Sequence, residues 1–364
     1  AECHAGVTGV EDIRDIRAQG SLVDYDGDGD TDEGVYYELQ GLRDMLYEAV
    51  QAYTSEVSGQ PITYDPGSYP YFFVDTNANG ALDGDEADQD NTFDAWTARL
   101  ARAAYNYQTS VQDPGAYAHG GKYIIQLLYD SIEDVNQALS SPIDLSAARR
   151  TDHRHFAGSE TAFRNWDEEG SVPRHCAKCH TSVGLPFFLS EGVHISQRPT
   201  NGLTCSTCHS DLTSFAIYEV PAVTFPRGAV IDSGNLSSNL CLNCHQGLSS
   251  IATVNAATVG KELDAVSEDL EFINIHNLVA GATLYGTEVQ GAYEYADKAY
   301  AGRLTHVEAF KTCTQCHDHH RQEVEVAECS ACHAGVAGRE DLVSIRMDLT
   351  DYDGDRDTAE GIAG

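Results

Sequence analysis

Ten of the eleven cysteines fall into five C-x-x-C-H units: Cys176-Cys179-His180, Cys205-Cys208-His209, Cys241-Cys244-His245, Cys313-Cys316-His317 and Cys329-Cys332-His333. The eleventh, Cys3, is followed by His4, so Ala1-Glu2-Cys3-His4 aligns with the last four positions of a sixth unit. No cysteine lies outside this context, which argues against a disulfide framework. In C-x-x-C-H the two thiols form thioethers to the haem vinyl groups, and the adjacent histidine becomes the proximal iron ligand. A structural zinc site would use paired C-x-x-C, whereas every pair here is followed at once by histidine. The pattern implies five complete haem c sites and a truncated sixth. Their proximal ligands would be His4, His180, His209, His245, His317 and His333.

Composition narrows the classes. The 364 residues carry 57 Asp and Glu against 22 Lys and Arg, a formal charge of −35, and 41% are hydrophobic. The length suggests two or three domains with room for a sizeable core. The acidity argues against nucleic acid and against docking on anionic lipid. No apolar run approaches the ~20 residues of a membrane helix. No signal-peptide pattern opens the chain, so any export signal is expected to be removed or to lie elsewhere. Nucleophile triads, phosphate loops and dinucleotide fingerprints are absent.

The two ends resemble each other. CHAGVTGV at 3–10 matches CHAGVAG at 332–338, and DYDGDGDTDEG at 24–34 matches DYDGDRDTAEG at 351–361. Such an overlap reads as one period cut from a tandem array, with an internal duplication as the alternative. Four segments follow: 1–35, a haem-motif tail and acidic loop; 36–150, a helical insertion; 151–338, the five-haem core; and 339–364, the start of another repeat. Apolar residues at 3.6-residue spacing predict helices over 36–57, 92–108 and 121–139. Asp113-Pro114-Gly115 predicts a turn before the third. From 151 onward the chain is punctuated by Gly and Pro, as suits ordering around cofactors. The fold class expected is mostly α and irregular, organised around haems, with a helical insertion bearing a calcium loop.

That loop is Asp75-Thr-Asn77-Ala-Asn79-Gly80-Ala81-Leu82-Asp83-Gly-Asp85-Glu86, which matches the EF-hand loop at positions 1, 3, 5, 6 and 12. Asp75, Asn77, Asn79, Asp83, Glu86 and the Ala81 carbonyl are the candidate Ca²⁺ ligands. The preceding Tyr69 to Phe73 is not helical in pattern, so no full entering helix is expected. Asp24, Asp26, Asp28 and Asp30 form a weaker calcium candidate, because position 12 of that run is Val35 and Arg356 replaces the turn glycine in the C-terminal copy. A charged, solvated turn is the alternative there.

Nine histidines lie outside the motifs: His119, His153, His155, His175, His194, His276, His306, His319 and His320. The supply suffices for a second imidazole on every iron. Met45 and Met347 are too few for general Met ligation.

The stretches 113–135, 155–180, 241–247, 273–286 and 301–320 resemble the modular multihaem c-type cytochromes of bacteria and archaea. More loosely, the chain is similar to extracellular cytochrome filaments (nanowires) in which haems stack continuously. In that family histidines within these stretches are distal iron ligands, and the resemblance carries this role onto His119, His155, His276, His306 and His320. Alternatives remain open. His119 would otherwise cap a helix or face solvent, His153 competes with His155, and His319 competes with His320. His276 would otherwise be a buried histidine bonded to a carbonyl, and His175 is a further candidate ligand. His194 and His153 read as surface residues. His306 lies too near Cys313 for that haem and would serve a neighbour.

The expected role is electron relay through bis-histidine haems, as one repeat of an extracellular conductive filament and not as an enzyme. Expected partners are neighbouring copies or repeats, redox proteins and extracellular electron acceptors. Haem c is attached outside the cytoplasmic membrane, so the location expected is extracellular or periplasmic. A multihaem reductase of a small nitrogen or sulfur oxyanion is the main rival and would need one open iron. A monomeric electron shuttle is the second.

Overall fold

The structure, a computed structural model, describes residues 7–9, 11–17, 23–276, 278–303, 306–307, 310–346 and 349–361. Cys3 and His4 lie outside the described residues. The chain divides into two units, Ala1–Ala157 and Gly158–Gly364, and is mostly helical, with small two-stranded sheets.

In the first unit, helix α1 (Val35–Tyr53) buries Leu39, Leu42, Leu46, Ala49, Val50 and Tyr53, one stripe at helical spacing. A π-helical turn over Thr54–Ser58 ends it at Gly59. The second predicted helix begins later than its periodicity suggested: α2 spans Ala98–Gln112. The Thr97 hydroxyl accepts the Leu100 N–H at 3.1 Å and starts the helix there. Residues just upstream stay extended, because the Phe93 N–H donates to Phe72 O at 3.1 Å. Helix α3 (Ala116–Asn136) starts earlier than expected, one residue after the Asp113–Gly115 turn, and breaks its helical dihedrals at Gly120. Strands β1 (Ile62–Tyr64) and β2 (Phe72–Val74) pair antiparallel, Ile62 opposite Val74. Helices and hairpin share one core around Leu46, Leu100, Leu128 and Ile132, all fully buried. Burying each such side chain stabilises by ~1.5–3 kcal/mol.

The acidic loop 24–33 lies directly on α1. At Gly41 a Cβ would overlap the Asp26 carboxylate, so only glycine admits the approach. Beneath the loop, Arg17 and the fully buried Glu38 form an ion pair at 2.5 Å.

The second unit is built of short pieces: α4 (Thr161–Arg164), α5 (Arg174–His180), α6 (Gly184–Glu191), α7 (Cys205–Cys208), α8 (Leu236–His245), α9 (Ile251–Thr258), α10 (Ala280–Tyr285) and α11 (Val326–Ser330). Between them run three two-stranded ribbons: β3 (His209–Asp211) with β4 (Ala216–Ile217), β5 (Val223–Thr224) with β6 (Val230–Ile231), and β7 (His317–Asp318) with β8 (Glu323–Val324). Its described apolar core is small and centres on Leu185, Phe225, Leu240, Leu242 and Tyr285. At Gly281 a Cβ would stand 2.6 Å from Leu242 Cδ2 and 2.9 Å from the His245 carbonyl, so α10 can cross α8 this closely only without a side chain there.

The repeated ends fold alike. Asp24 accepts the Gly27 and Gly29 N–H groups, and Asp351 accepts those of Gly354 and Arg356. Arg17 donates to the Glu33 carbonyl at 2.8 Å and Arg346 to the Glu360 carbonyl at 2.7 Å. Arg356 takes the left-handed conformation of its counterpart Gly29, with φ 78° against 97°.

Candidate haem-binding site

A single helical turn places residues i and i+3 on one face, which is how each motif presents its two thiols. Cys176 and Cys179 lie on α5, Cys205 and Cys208 on α7, and Cys241 and Cys244 on α8. Cys313 opens a 3-10 turn over Cys313–Gln315, and Cys329 sits on α11. None of the ten described cysteines is in a disulfide.

Two of these turns are started by a device that pattern reading overlooked although the sequence carries it. Thr204 donates its N–H to the Thr207 hydroxyl, and Thr312 donates its N–H to Gln315 Oε1, both at 3.0 Å. These are capping boxes. After each, the motif histidine enters a hairpin, β3–β4 or β7–β8, and the returning strand bonds back to the second cysteine. Tyr218 N–H donates to Cys208 O at 3.1 Å, and Glu325 N–H to Cys316 O at 2.8 Å. The second and fourth motifs thus share one local fold.

Three motif histidines are anchored through Nδ1 to a carbonyl: His180 to Ala162 O at 2.8 Å, His209 to Phe215 O at 2.7 Å and His245 to Leu278 O at 2.8 Å. A carbonyl only accepts, so Nδ1 carries the hydrogen and the Nε2 lone pair is left for a metal. Nothing in the motif spacing announced these carbonyls.

Histidines distant in sequence face the motif histidines. His180 Nε2 and His276 Nε2 are 3.5 Å apart with ring centroids at 5.7 Å. The His209 and His320 rings lie 6.3 Å apart, and those of His333 and His306 6.1 Å apart. Metal–imidazole bonds of about 2 Å on each face of an iron set the nitrogens ~4 Å and the centroids ~6 Å apart. All three pairs have that centroid spacing. Burial holds His180 and His320 below the usual histidine range, and the imidazoles of His276 and His319 respectively add to it. A metal ligand must be neutral, so these shifts favour ligation.

His276 is delivered by backbone pairing. The segment around it lies along the residues after the third motif: Leu248 N–H donates to Ile275 O at 3.0 Å, and Ser249 Oγ to Asn274 O at 3.1 Å. His276 itself takes φ 84°, its N–H bonded to Asn274 Oδ1 at 2.8 Å. Backbone strain of this kind in a non-glycine residue is typical of functional positions.

The remaining candidates sit elsewhere. His119 lies in the first turn of α3, exposed, with Nδ1 2.9 Å from Asp113 Oδ2. That contact is the main reason the Asp113 carboxyl is held below its usual range. His155 lies in the 3-10 turn Arg154–Phe156, His319 packs on His320 at 4.4 Å, and His194 stacks on Phe188 at 4.6 Å.

Over 246 residues the chain is 32% identical to the C-type polyheme cytochrome OmcC of Geobacter sulfurreducens, covering 57% of this chain and 30% of the relative. It is 33% identical over 93 residues to the C-type polyheme cytochrome OmcB of the same organism, covering 23% and 12%. The chain is homologous to the polyhaem c-type cytochromes. It spans under a third of the length of these relatives. No family model and no solved structure matches it.

The residues fit the haem c of such cytochromes: free thiol pairs on helical turns, histidines with Nδ1 committed to carbonyls, and imidazoles opposed at iron-spanning distance. Haem supplies a one-electron couple at an iron whose potential and access are set by its axial ligands. With haem bound, the motif cysteines would hold the thioether edge, and His180, His209 and His245, fixed by their carbonyls, would take the proximal position.

The calcium candidates are also placed. In the loop after β2, Asp75 and Glu86 are buried. Asp75 accepts the Asn79 and Gly80 N–H groups, and Glu86 accepts from Thr76 and from the Asp83 N–H. Asn77 and Asn79 donate to Asp83 Oδ2, and the Ala81 N–H donates to Asn79 Oδ1. In the acidic loop, carboxylate oxygens of Asp24, Asp26 and Glu38 lie within 4.8 Å of one another, as do those of Asp26, Asp28 and Glu33. Asp30 instead accepts the Asp32 and Glu33 N–H groups. Burial, with the crowded carboxylates adding to it, pushes Asp26 and Glu33 up to about 7. Glu33 Oε1 is buried with no hydrogen-bond partner. No helix among the described residues is long and apolar enough to cross a membrane.

Proposed function

We propose that this chain relays single electrons through five haems c with two histidine ligands each, as one repeat of an extracellular conductive filament. The opposition of His180 and His276 carries the reading, and the pairs His209–His320 and His333–His306 extend it. A second imidazole closes the iron to substrate and keeps its coordination the same in both oxidation states, which suits transfer rather than turnover. The remaining distal positions fall to His119 and His155 by resemblance. The filament reading rests on the repeated ends, which fold alike and point to a tandem or head-to-tail arrangement. Its partners would be copies or repeats of the chain, redox proteins and extracellular acceptors.

Calcium belongs to the same proposal. The loop 75–86 would bind one ion through Asp75, Asn77, Asn79, Asp83, Glu86 and the Ala81 carbonyl. The acidic loop would bind a second through Asp24, Asp26 and Asp28, with Glu33 as the ligand that Val35 could not supply. The orphaned Glu33 oxygen is the support for that exchange.

Optical and paramagnetic-resonance spectra of the haem-loaded protein test the relay and should show only low-spin ferric iron. A high-spin fraction, with carbon monoxide or nitrite bound after reduction, would overturn it in favour of the oxyanion reductase. Negative-stain images of the secreted protein should show filaments. Monodisperse particles alone would replace the filament with a shuttle.

A further inference from the structure

The two copies of the acidic segment share a local fold but differ in what covers them. Asp12 accepts the Thr8 and Gly9 N–H groups, and Asp341 accepts those of Ala337 and Gly338. The Arg17 guanidinium lies 6.0 Å from the Tyr25 ring, and that of Arg346 lies 6.0 Å from the Tyr352 ring. A Cβ on Gly34 would overlap the Arg14 carbonyl, and one on Gly361 the Val343 carbonyl. Yet Tyr25 is 3% exposed and Tyr352 is 63% exposed. Thr350, in the place of the buried Val23, is exposed as well.

The first copy shows what supplies the cover. Tyr25 belongs to the core that holds Leu39 and Leu42 of α1. Its N–H donates to Glu38 Oε2 at 2.7 Å, its carbonyl accepts the Arg149 N–H at 3.0 Å, and its hydroxyl donates to Asp152. A Cβ on Gly27 would stand 2.6 Å from the Ala148 nitrogen. The berth therefore consists of α1 and the strap 148–152, and residues 23–34 already fill it.

We propose that the C-terminal copy is a docking surface for a second copy of this chain, whose residues 35–157 cover Tyr352 and bring Glu38 to Arg346. The occupant comes from another copy because the berth within this chain is taken. In the joint, Asp152 of the second copy receives the Tyr352 hydroxyl as Asp152 receives that of Tyr25 here. Gly34 is the N-cap of α1, and Gly361 stands in the same place, so the second copy begins its contact at Val35. The joint is heterologous and does not close on itself, which lets copies add in series. It deepens the filament reading and rests on it.

The test extends the full haem-loaded chain, with residues 35–157 of a second copy following Gly361. Tyrosine nitration read by peptide mass spectrometry compares Tyr352 with and without the extension. In the extended chain Tyr352 should react about tenfold more slowly, approaching Tyr25, because local opening alone would then expose it. Far-ultraviolet circular dichroism should gain the helix content of α1 to α3. An unchanged Tyr352 rate overturns the proposal. So does an extension that stays unfolded, since the C-terminal copy would then fail to complete it. Glu38→Gln in the extension should return Tyr352 toward its unextended rate, whereas Glu38→Gln in the first copy should not, and equal effects overturn the joint. The filament reading fails separately, through monodisperse particles alone in negative stain of the unextended protein.

Discussion

His180 and His276 stand Nε2 to Nε2 at 3.5 Å although 96 positions separate them. One belongs to an attachment motif and the other to an irregular segment with no signature of its own, where His276 takes φ 84°. The pair turns a list of motifs into a statement about coordination, and it can be broken by a single substitution.

His276→Ala should leave the haem of the first motif five-coordinate. About one fifth of the ferric haem would become high-spin, and the reduced protein would bind one carbon monoxide, since five complete motifs are present. Optical titration with the gas measures both. An unchanged low-spin spectrum would show that His276 ligates no iron.

His319 and His320 are adjacent, and only His320 faces His209. His320→Ala should open the second haem in the same spectroscopic way, whereas His319→Ala should leave all haems low-spin. The reverse result would exchange the two roles.

The Arg17–Glu38 pair supports the acidic loop from below, and Glu38 also accepts the Tyr25 and Asp26 N–H groups. Arg17→Ala strands a buried carboxylate and should cost about 3–5 kcal/mol. Denaturant unfolding followed by far-ultraviolet circular dichroism measures this, against Leu128→Ala as a core reference worth about 2–5 kcal/mol. A loss under 1 kcal/mol would mean that solvent or a cation already satisfies Glu38.

Calcium at a hundredfold excess over its dissociation constant should stabilise the first unit by about 2.7 kcal/mol per site. Thermal melts with calcium and with chelator should differ accordingly, and Glu86→Gln should remove most of the contribution from the loop 75–86. Calorimetry that detects no calcium binding would reduce both loops to acidic turns.

Much of the first unit was legible because helix periodicity is local. Leu39, Leu42, Leu46 and Val50 mark α1 without any knowledge of what covers them. The start of α2 was misplaced because Phe93 is apolar at the right spacing, yet its N–H is taken by Phe72 across the hairpin. In the second unit, periodicity says little, since its helices are too short to show a stripe and its described core is small.

The sequence by itself determined the haem chemistry of this protein. Thiols three positions apart with a histidine next in line need only one helical turn to become an attachment site, and a turn is a local event. Tertiary structure alone decided which imidazole faces which motif histidine and which carbonyl holds the rings of His180, His209 and His245. Apart from the bond of His209 to Phe215 within one hairpin, each of those contacts joins residues distant in the chain, and its partner is chosen by backbone pairing and packing that no spacing rule encodes.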